Sequence, residues 1–213
     1  MARSIITLEG ADCTGKTTVA RILQELVPNH AMIKLSQPRG LTGQDRLYAL
    51  TQTFKKTVEL WEAMGTNNGI MDRFTTSERV YGPLFHGFTL DMFRAFDPIE
   101  LYMTRLGGRL VLLTASRDEL EERLIQKAVE SPNEGHADVV QVLKIQDRYL
   151  HVAEWETQLE PVIIDTSGKQ PREVAYEVLS RVGLPELVPS GDNNAPGRVA
   201  NKSKDTSTTA EVS

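Results

Sequence analysis

Residues 10–17 read Gly10-Ala11-Asp12-Cys13-Thr14-Gly15-Lys16-Thr17 and fit G-x-x-x-x-G-K-[ST] at every defined position. A short apolar run at residues 4–9 precedes this stretch and an amphipathic one at about 16–27 follows it, so it falls at a strand-to-helix turn. A polyphosphate approached by several backbone N–H groups at once needs a loop without Cβ atoms in its path, and Gly10 and Gly15 meet that need. Lys16 is expected to place its ammonium between the β- and γ-phosphates. The Thr17 hydroxyl is expected to ligate Mg²⁺, and the N-terminus of the helix that follows, with Thr18 in its first turn, adds partial positive charge. Together with Ala11, Asp12, Cys13 and Thr14, these form the expected nucleotide-binding set. A chance match in a chain of this length has a probability on the order of 1%. Cys13 could be a thiol activated by the helix N-terminus, but it reads more simply as a small loop residue.

Working outward, short β-type runs alternate with helical stretches, the pattern of a parallel sheet covered by helices. Strands are expected at residues 4–9, 31–35, 69–72, 110–114 and 161–165. Helices are expected at about 16–27, 44–64, 76–85, 91–103, 117–129, 139–158 and 171–181. The fold class is therefore α/β, with a five-stranded parallel sheet flanked by helices on both faces. Residues 1–186 form one domain, and residues 187–213, without an aromatic and dense in Ser, Thr, Asn, Gly and Pro, are expected to be a disordered tail. No internal repeat is present.

The chain has 213 residues and a formal net charge of −5, which argues against a dedicated nucleic-acid binder. Its longest apolar runs, such as Leu110-Val111-Leu112-Leu113, fall far short of the roughly 20 residues needed to span a bilayer. No secretory h-region follows Met1, so a cytoplasmic protein is expected. Cys13 is the single cysteine, which excludes an intrachain disulfide, and the four histidines lack zinc-ligand spacing.

A phosphate cradle alone does not separate a kinase from a GTPase switch or an ATP-driven motor. Asp165-Thr166-Ser167-Gly168 has the form D-x-x-G, but on the last expected strand it lies too late in the chain for a switch. A base-reading N-K-x-D is missing, since Asn201-Lys202-Ser203-Lys204 fails at its final position.

The segment Leu8-Glu9-Gly10-Ala11-Asp12-Cys13-Thr14-Gly15-Lys16-Thr17-Thr18 resembles the opening of thymidylate kinases, with an Asp at the third position of the loop. Asp72-Arg73-Phe74, followed by Ser77 and Tyr81, resembles the D-R-Y/F-x-x-S-x-x-x-Y segment of that family. The strand Val162-Ile163-Ile164-Asp165-Thr166-Ser167-Gly168 is similar to its closing strand. The likeness covers about residues 4–182, with specific motifs in these three patches. It implies a P-loop NTPase fold of the nucleoside monophosphate kinase type, with a lid at about residues 123–138. It also implies transfer of the γ-phosphoryl group of ATP, with Mg²⁺, to a (deoxy)nucleoside monophosphate. The acceptor it favours is dTMP or a modified deoxypyrimidine monophosphate.

Phosphoryl transfer depends on positioning two substrates and neutralising the transferring group, so cations must surround the γ-phosphate. The expected catalytic set is Lys16, Asp12, Asp72, Arg73 and Arg123. Arg73, at a strand C-terminus, faces the acceptor phosphate. Asp72 holds Mg²⁺ through water, beside Thr17, or orients Arg73; a strand-end ion pair is its plainer reading. By the resemblance, Asp12 reaches toward the acceptor sugar or the arginine. Tyr81, and Tyr48 or Phe54 from the long second helix, are candidates to stack on the base. Ser77 and Arg39 complete the expected acceptor set. Arg123 and Lys127, four apart on one helix face, resemble lid cations, though a solvated helix surface explains them almost as well.

The acceptor class turns on Ser36-Gln37-Pro38-Arg39-Gly40. Related deoxynucleoside kinases carry a glutamate before this proline as the base for a sugar hydroxyl, whereas Gln37 cannot accept that proton. A phosphomonoester, largely a dianion at neutral pH, needs no base. Thymidylate kinases also commonly carry Glu-Pro here, and the frequent P-loop arginine is replaced by Cys13, so the sequence departs from the family at both points. A deoxynucleoside kinase, a non-catalytic nucleotide-binding module and a kinase acting on DNA ends are the alternatives. The expected partners are ATP and a nucleoside monophosphate, without nucleic acid or membrane, and with a homodimer as one admissible assembly.

Overall fold

The apolar runs form five parallel strands: β1 (Ile5–Glu9), β2 (His30–Lys34), β3 (Asn68–Asp72), β4 (Gly108–Thr114) and β5 (Glu160–Asp165), in the order β2-β3-β1-β4-β5. The computed structural model describes residues 4–35, 38, 40–65, 68–131 and 138–184. The expected tail at 187–213, residues 132–137 of the expected lid, Gln37 and Arg39 lie outside the described residues.

β1 and β3 are buried along their whole length, as inner strands of a parallel sheet covered on both faces. Side chains nonetheless alternate between two cores. Ile5, Met71, Leu110 and Leu112 face one, whereas Ile6, Ile70, Val111 and Leu113 face the other. The second core is closed by α1 (Lys16–Leu26) and α7 (Pro171–Val182). Residues of α2 (Gly43–Ala63), α3 (Thr75–Phe85), α4 (Asp97–Arg105), α5 (Arg117–Glu130) and α6 (Val139–Trp155) build the first. Local signals set several helix ends. Ser116 Oγ accepts the Glu119 N–H at the start of α5, Asp138 Oδ1 accepts the Gln141 N–H at the start of α6, and Gly183 ends α7 in the left-handed region.

The helix expected at 91–103 is instead a 3₁₀ segment (Leu90–Ala95) followed by α4. Pro98 is the cause: it has no N–H to continue the i→i−4 ladder, but it is tolerated in the first turn of a new helix. The helix expected to reach residue 158 stops at Trp155, because the next residues turn to meet Glu100. That carboxylate, fully buried, accepts from the Thr157 hydroxyl at 3.1 Å and the Gln158 N–H at 2.8 Å. It also pairs with Arg79, whose Nη2 reaches Asp97 at 2.7 Å, so α3, α4 and the approach to β5 are tied by one ion cluster.

The chain leaves β1 toward β2 on one side of the sheet and continues from β4 to β5 on the other. The crevice at the C-terminal ends of β1, β3 and β4 is therefore the place for a ligand.

Candidate active site

The loop after β1 is the first wall of that crevice. Gly10 lies at φ +144°, and a Cβ there would collide with the Leu113 carbonyl oxygen, so glycine is required by close approach as well as by conformation. Gly15, at φ +89°, has open space around it, and its need is conformational alone. The Ala11 carbonyl accepts from both the Thr14 hydroxyl (2.9 Å) and Lys16 Nζ (2.6 Å), which closes the loop on itself. Burial, reinforced by the nearby Arg73 cation, lowers the Lys16 pKa to about 8. Burial raises the Cys13 thiol pKa, which opposes an activated thiolate.

Three cavities adjoin along the crevice. One of about 530 Å³ lies between α5 and the β5–α7 loop and is lined by Cys13, Gly15, Thr18, Arg123, Lys127 and Thr166 among others. The second, about 380 Å³, brings together Lys16, Thr17, Lys34, Asp72, Arg73 and Lys127, and shares Cys13, Gly15, Thr18 and Lys127 with the first. The third, about 400 Å³, is lined by Arg46, Ser77, Glu78, Tyr81, Phe85 and His86, and shares Asp12 and Arg73 with the second.

Arg73 thus stands where the second and third cavities meet. Its φ is +72°, a left-handed conformation that is costly for a side chain with Cβ, and the turn aims it back over the loop. Its Nη2 lies 3.4 Å from Asp12 Oδ1, and its guanidinium sits 5.3 Å from the Tyr81 ring centroid. Tyr81 stacks on Phe85 with centroids 6.0 Å apart, which gives the third cavity an aromatic wall. Burial raises the Tyr81 pKa and keeps the phenol neutral.

Several expected residues have other surroundings. Phe54 is only 2% exposed and packs edge-on to Phe74 (4.9 Å) and Phe96 (5.7 Å); it belongs to the core and not to a base site. Tyr48, on the same helix, is 68% exposed and is not among the residues lining the third cavity. Ser77 borders that cavity, but its hydroxyl donates to Glu9 at 2.5 Å. Asp72 pairs with Lys34 at 3.1 Å, which is the strand-end ion pair, while it also lines the second cavity.

Arg123, expected as a lid cation over the phosphates, lines the first cavity and is hydrogen-bonded to the loops around it. Its guanidinium donates to Glu119, to the Cys13 carbonyl (3.2 Å), and to the Thr166 hydroxyl (3.0 Å) and carbonyl (3.1 Å). It is Lys127, one turn further along α5, that reaches the second cavity. Among the oxygen donors that line it, the Thr17 hydroxyl and the Asp72 carboxylate are the expected pair, a set that fits Mg²⁺ held largely by substrate phosphates and water. Among the described residues no group of three or more His, Cys, Asp or Glu is placed to hold a metal. No helix among them is long and apolar enough to cross a membrane.

Sequence reasoning missed Glu9, Lys34, Arg46, Glu78 and Tyr149. The Arg46–Glu78 pair, buried at 3.4 Å, lies at the third cavity, and together with burial Arg46 lowers the pKa of His86. Only Glu9 carried a visible signal, a carboxylate ending an otherwise apolar strand.

No protein-family model matches the sequence, and no curated protein does. Solved structures resemble the fold. YorR from Bacillus subtilis, crystallised in complex with phosphorylated GDP, is 24% identical with a TM-score of 0.61, over 84% of this chain and 96% of that one. Thymidylate kinase from Candida albicans is 18% identical with a TM-score of 0.55, over 85% and 92% of the two chains. Thymidylate kinase from Ehrlichia chaffeensis is 15% identical with a TM-score of 0.53, over 85% and 100%. The fold is that of the P-loop kinases. Within that class it is of the thymidylate-kinase-like type.

Proposed function

We propose that this protein is a phosphotransferase that moves the γ-phosphoryl group of ATP to a nucleoside monophosphate, with dTMP or a modified deoxypyrimidine monophosphate as the favoured acceptor. The observation that carries the reading is the position of Arg73 and Asp12 at the boundary between the cavity of Lys16 and the aromatic-walled cavity of Tyr81. In this reading the first cavity takes the adenosine of ATP, the second the phosphates and the third the acceptor nucleoside.

Lys16 and the loop N–H groups hold the donor phosphates, and Lys127 and Lys34 add positive charge around them. Mg²⁺, when bound, neutralises phosphate charge, and Thr17 and Asp72 would hold it. Arg73 binds the acceptor phosphate and turns one of its oxygens toward the γ-phosphorus. The bond from that oxygen forms as the bond to the ADP leaving oxygen breaks, and no base is needed because the acceptor is already an anion. Tyr81 and Phe85 supply the apolar surface for the acceptor base.

The test is ADP release from Mg·ATP across a panel of ribo- and deoxynucleoside monophosphates, run beside the matching nucleosides. Turnover with a monophosphate and none with nucleosides is expected. Turnover with nucleosides alone would make the protein a deoxynucleoside kinase, and silence with both sets would leave a nucleotide-binding module.

A further inference from the structure

Glu9 ends β1 and directly precedes the glycine that opens the phosphate loop, yet the chemistry above does not use it. Its side chain is wholly buried and its carboxylate is fully engaged. Oε1 accepts the Phe74 N–H at 2.6 Å and the Ser77 N–H at 3.4 Å. Oε2 accepts the Ser77 hydroxyl at 2.5 Å and the Tyr149 hydroxyl at 3.4 Å, and Tyr149 O–H stands 2.8 Å from Ser77 Oγ. One side chain thus joins β1 to the β3–α3 turn and to α6.

A buried carboxylate is costly, and an apolar residue of similar size would fill the space without that cost. What the carboxylate achieves lies next to Phe74. The preceding residue is Arg73, whose left-handed backbone has to be held in place. The Arg73 N–H donates to the Leu8 carbonyl at 3.2 Å and the Phe74 N–H to Glu9, so consecutive residues of β1 grip both amides at the kink. The same strand runs on into the loop that carries Lys16. Burial raises the Glu9 pKa to about 7, while Ser77, Arg73, the Phe74 N–H and Lys16 oppose the rise.

We propose that Glu9 is a positioning residue that holds the Arg73 guanidinium in register with the phosphate loop, and so sets the separation between donor and acceptor phosphates. The phosphates in this statement rest on the phosphotransfer reading; the clamp does not.

The experiment compares the full-length wild type with Glu9→Gln and Ser77→Ala. Glutamine offers the Phe74 N–H only a neutral amide oxygen, a weaker acceptor than a carboxylate, and it lacks the second oxygen that takes the Ser77 hydroxyl, so the grip on the Phe74 and Ser77 amides loosens. Glu9→Gln is expected to raise the acceptor KM about tenfold and leave the ATP KM within about twofold. Hydrogen exchange is expected to show faster exchange at the Phe74 and Ser77 amides, with the amides of β4 unchanged. Ser77→Ala should move the same quantities in the same direction by less, and it is read alone if Glu9→Gln does not fold. Equal rises in both KM values, or an unchanged acceptor KM, would overturn the proposal. If the wild type turns over no acceptor, the phosphotransfer reading fails, and exchange still decides the clamp: unchanged protection of Phe74 in Glu9→Gln removes it.

Discussion

Nη2 of Arg73 stands 3.4 Å from Oδ1 of Asp12, so a turn after the third strand meets the phosphate loop after the first, 61 residues away in sequence. Both groups are partly exposed, at 31% and 47%, so the pair contributes little stability on its own. Its importance is geometric. It marks where the cavity around Lys16 opens into the one walled by Tyr81.

Arg73→Ala is expected to lower kcat/KM for the acceptor by at least about 10²-fold while leaving the ATP KM within about threefold, because a charge-assisted phosphate contact is lost on one side only. Alanine at φ +72° is as strained as arginine, so the melting temperature should change little. Initial rates with each substrate varied in turn check this, and equal losses on both sides would take Arg73 out of the acceptor site.

Lys16→Ala is expected to lower turnover by at least about 10²-fold without lowering the melting temperature, since the substitution removes a buried ammonium along with its charge. The sign with pH follows from the depressed pKa of about 8 against 10.5. Between these values the unfolded chain binds more protons than the folded one, so wild-type stability rises with pH across that window relative to Lys16→Ala. Thermal melts of both proteins from pH 7 to 10.5 measure the difference. A gap that does not change with pH would contradict it.

Arg123→Ala is expected to raise the ATP KM about tenfold and to spare the acceptor KM, because the lost hydrogen bonds tie α5 to the Cys13 carbonyl and the Thr166 loop around the first cavity. A large fall in kcat with both KM values unchanged would instead return Arg123 to the transferring phosphate.

Phe54→Ala is expected to cost about 3–5 kcal/mol, the range for truncating a buried aromatic, and Tyr48→Ala no more than about 0.5 kcal/mol. Denaturant unfolding of the two variants checks the pair. Similar costs would refute the assignment of Phe54 to the core and Tyr48 to the surface.

Much of the architecture was legible in the chain. Each of the five strands lies within two residues of its expected ends, because a strand of a parallel sheet shows in the chain as a short β-type run between turn residues. Pro98 was legible too, yet the periodicity around it masked the break between the 3₁₀ segment and α4. The aromatics of α2 were not legible, since helical spacing makes faces without saying which face meets the core. Phe54 and Tyr48 exchange no role that the sequence alone could assign.

What the sequence determined by itself is local: the glycines at 10 and 15, Lys16 and Thr17 at a strand-to-helix turn, and Arg73 at the end of another strand. Their spacing and backbone needs are settled within a few residues. What only the tertiary structure decided is which distant groups meet them. Glu9 reaches Tyr149 across 140 positions, and Arg123 reaches the Cys13 carbonyl across 110. Such contacts are products of how the helices close on the two faces of the sheet, where a buried polar atom must find its partner wherever packing brings one, and no local pattern along the chain records that choice.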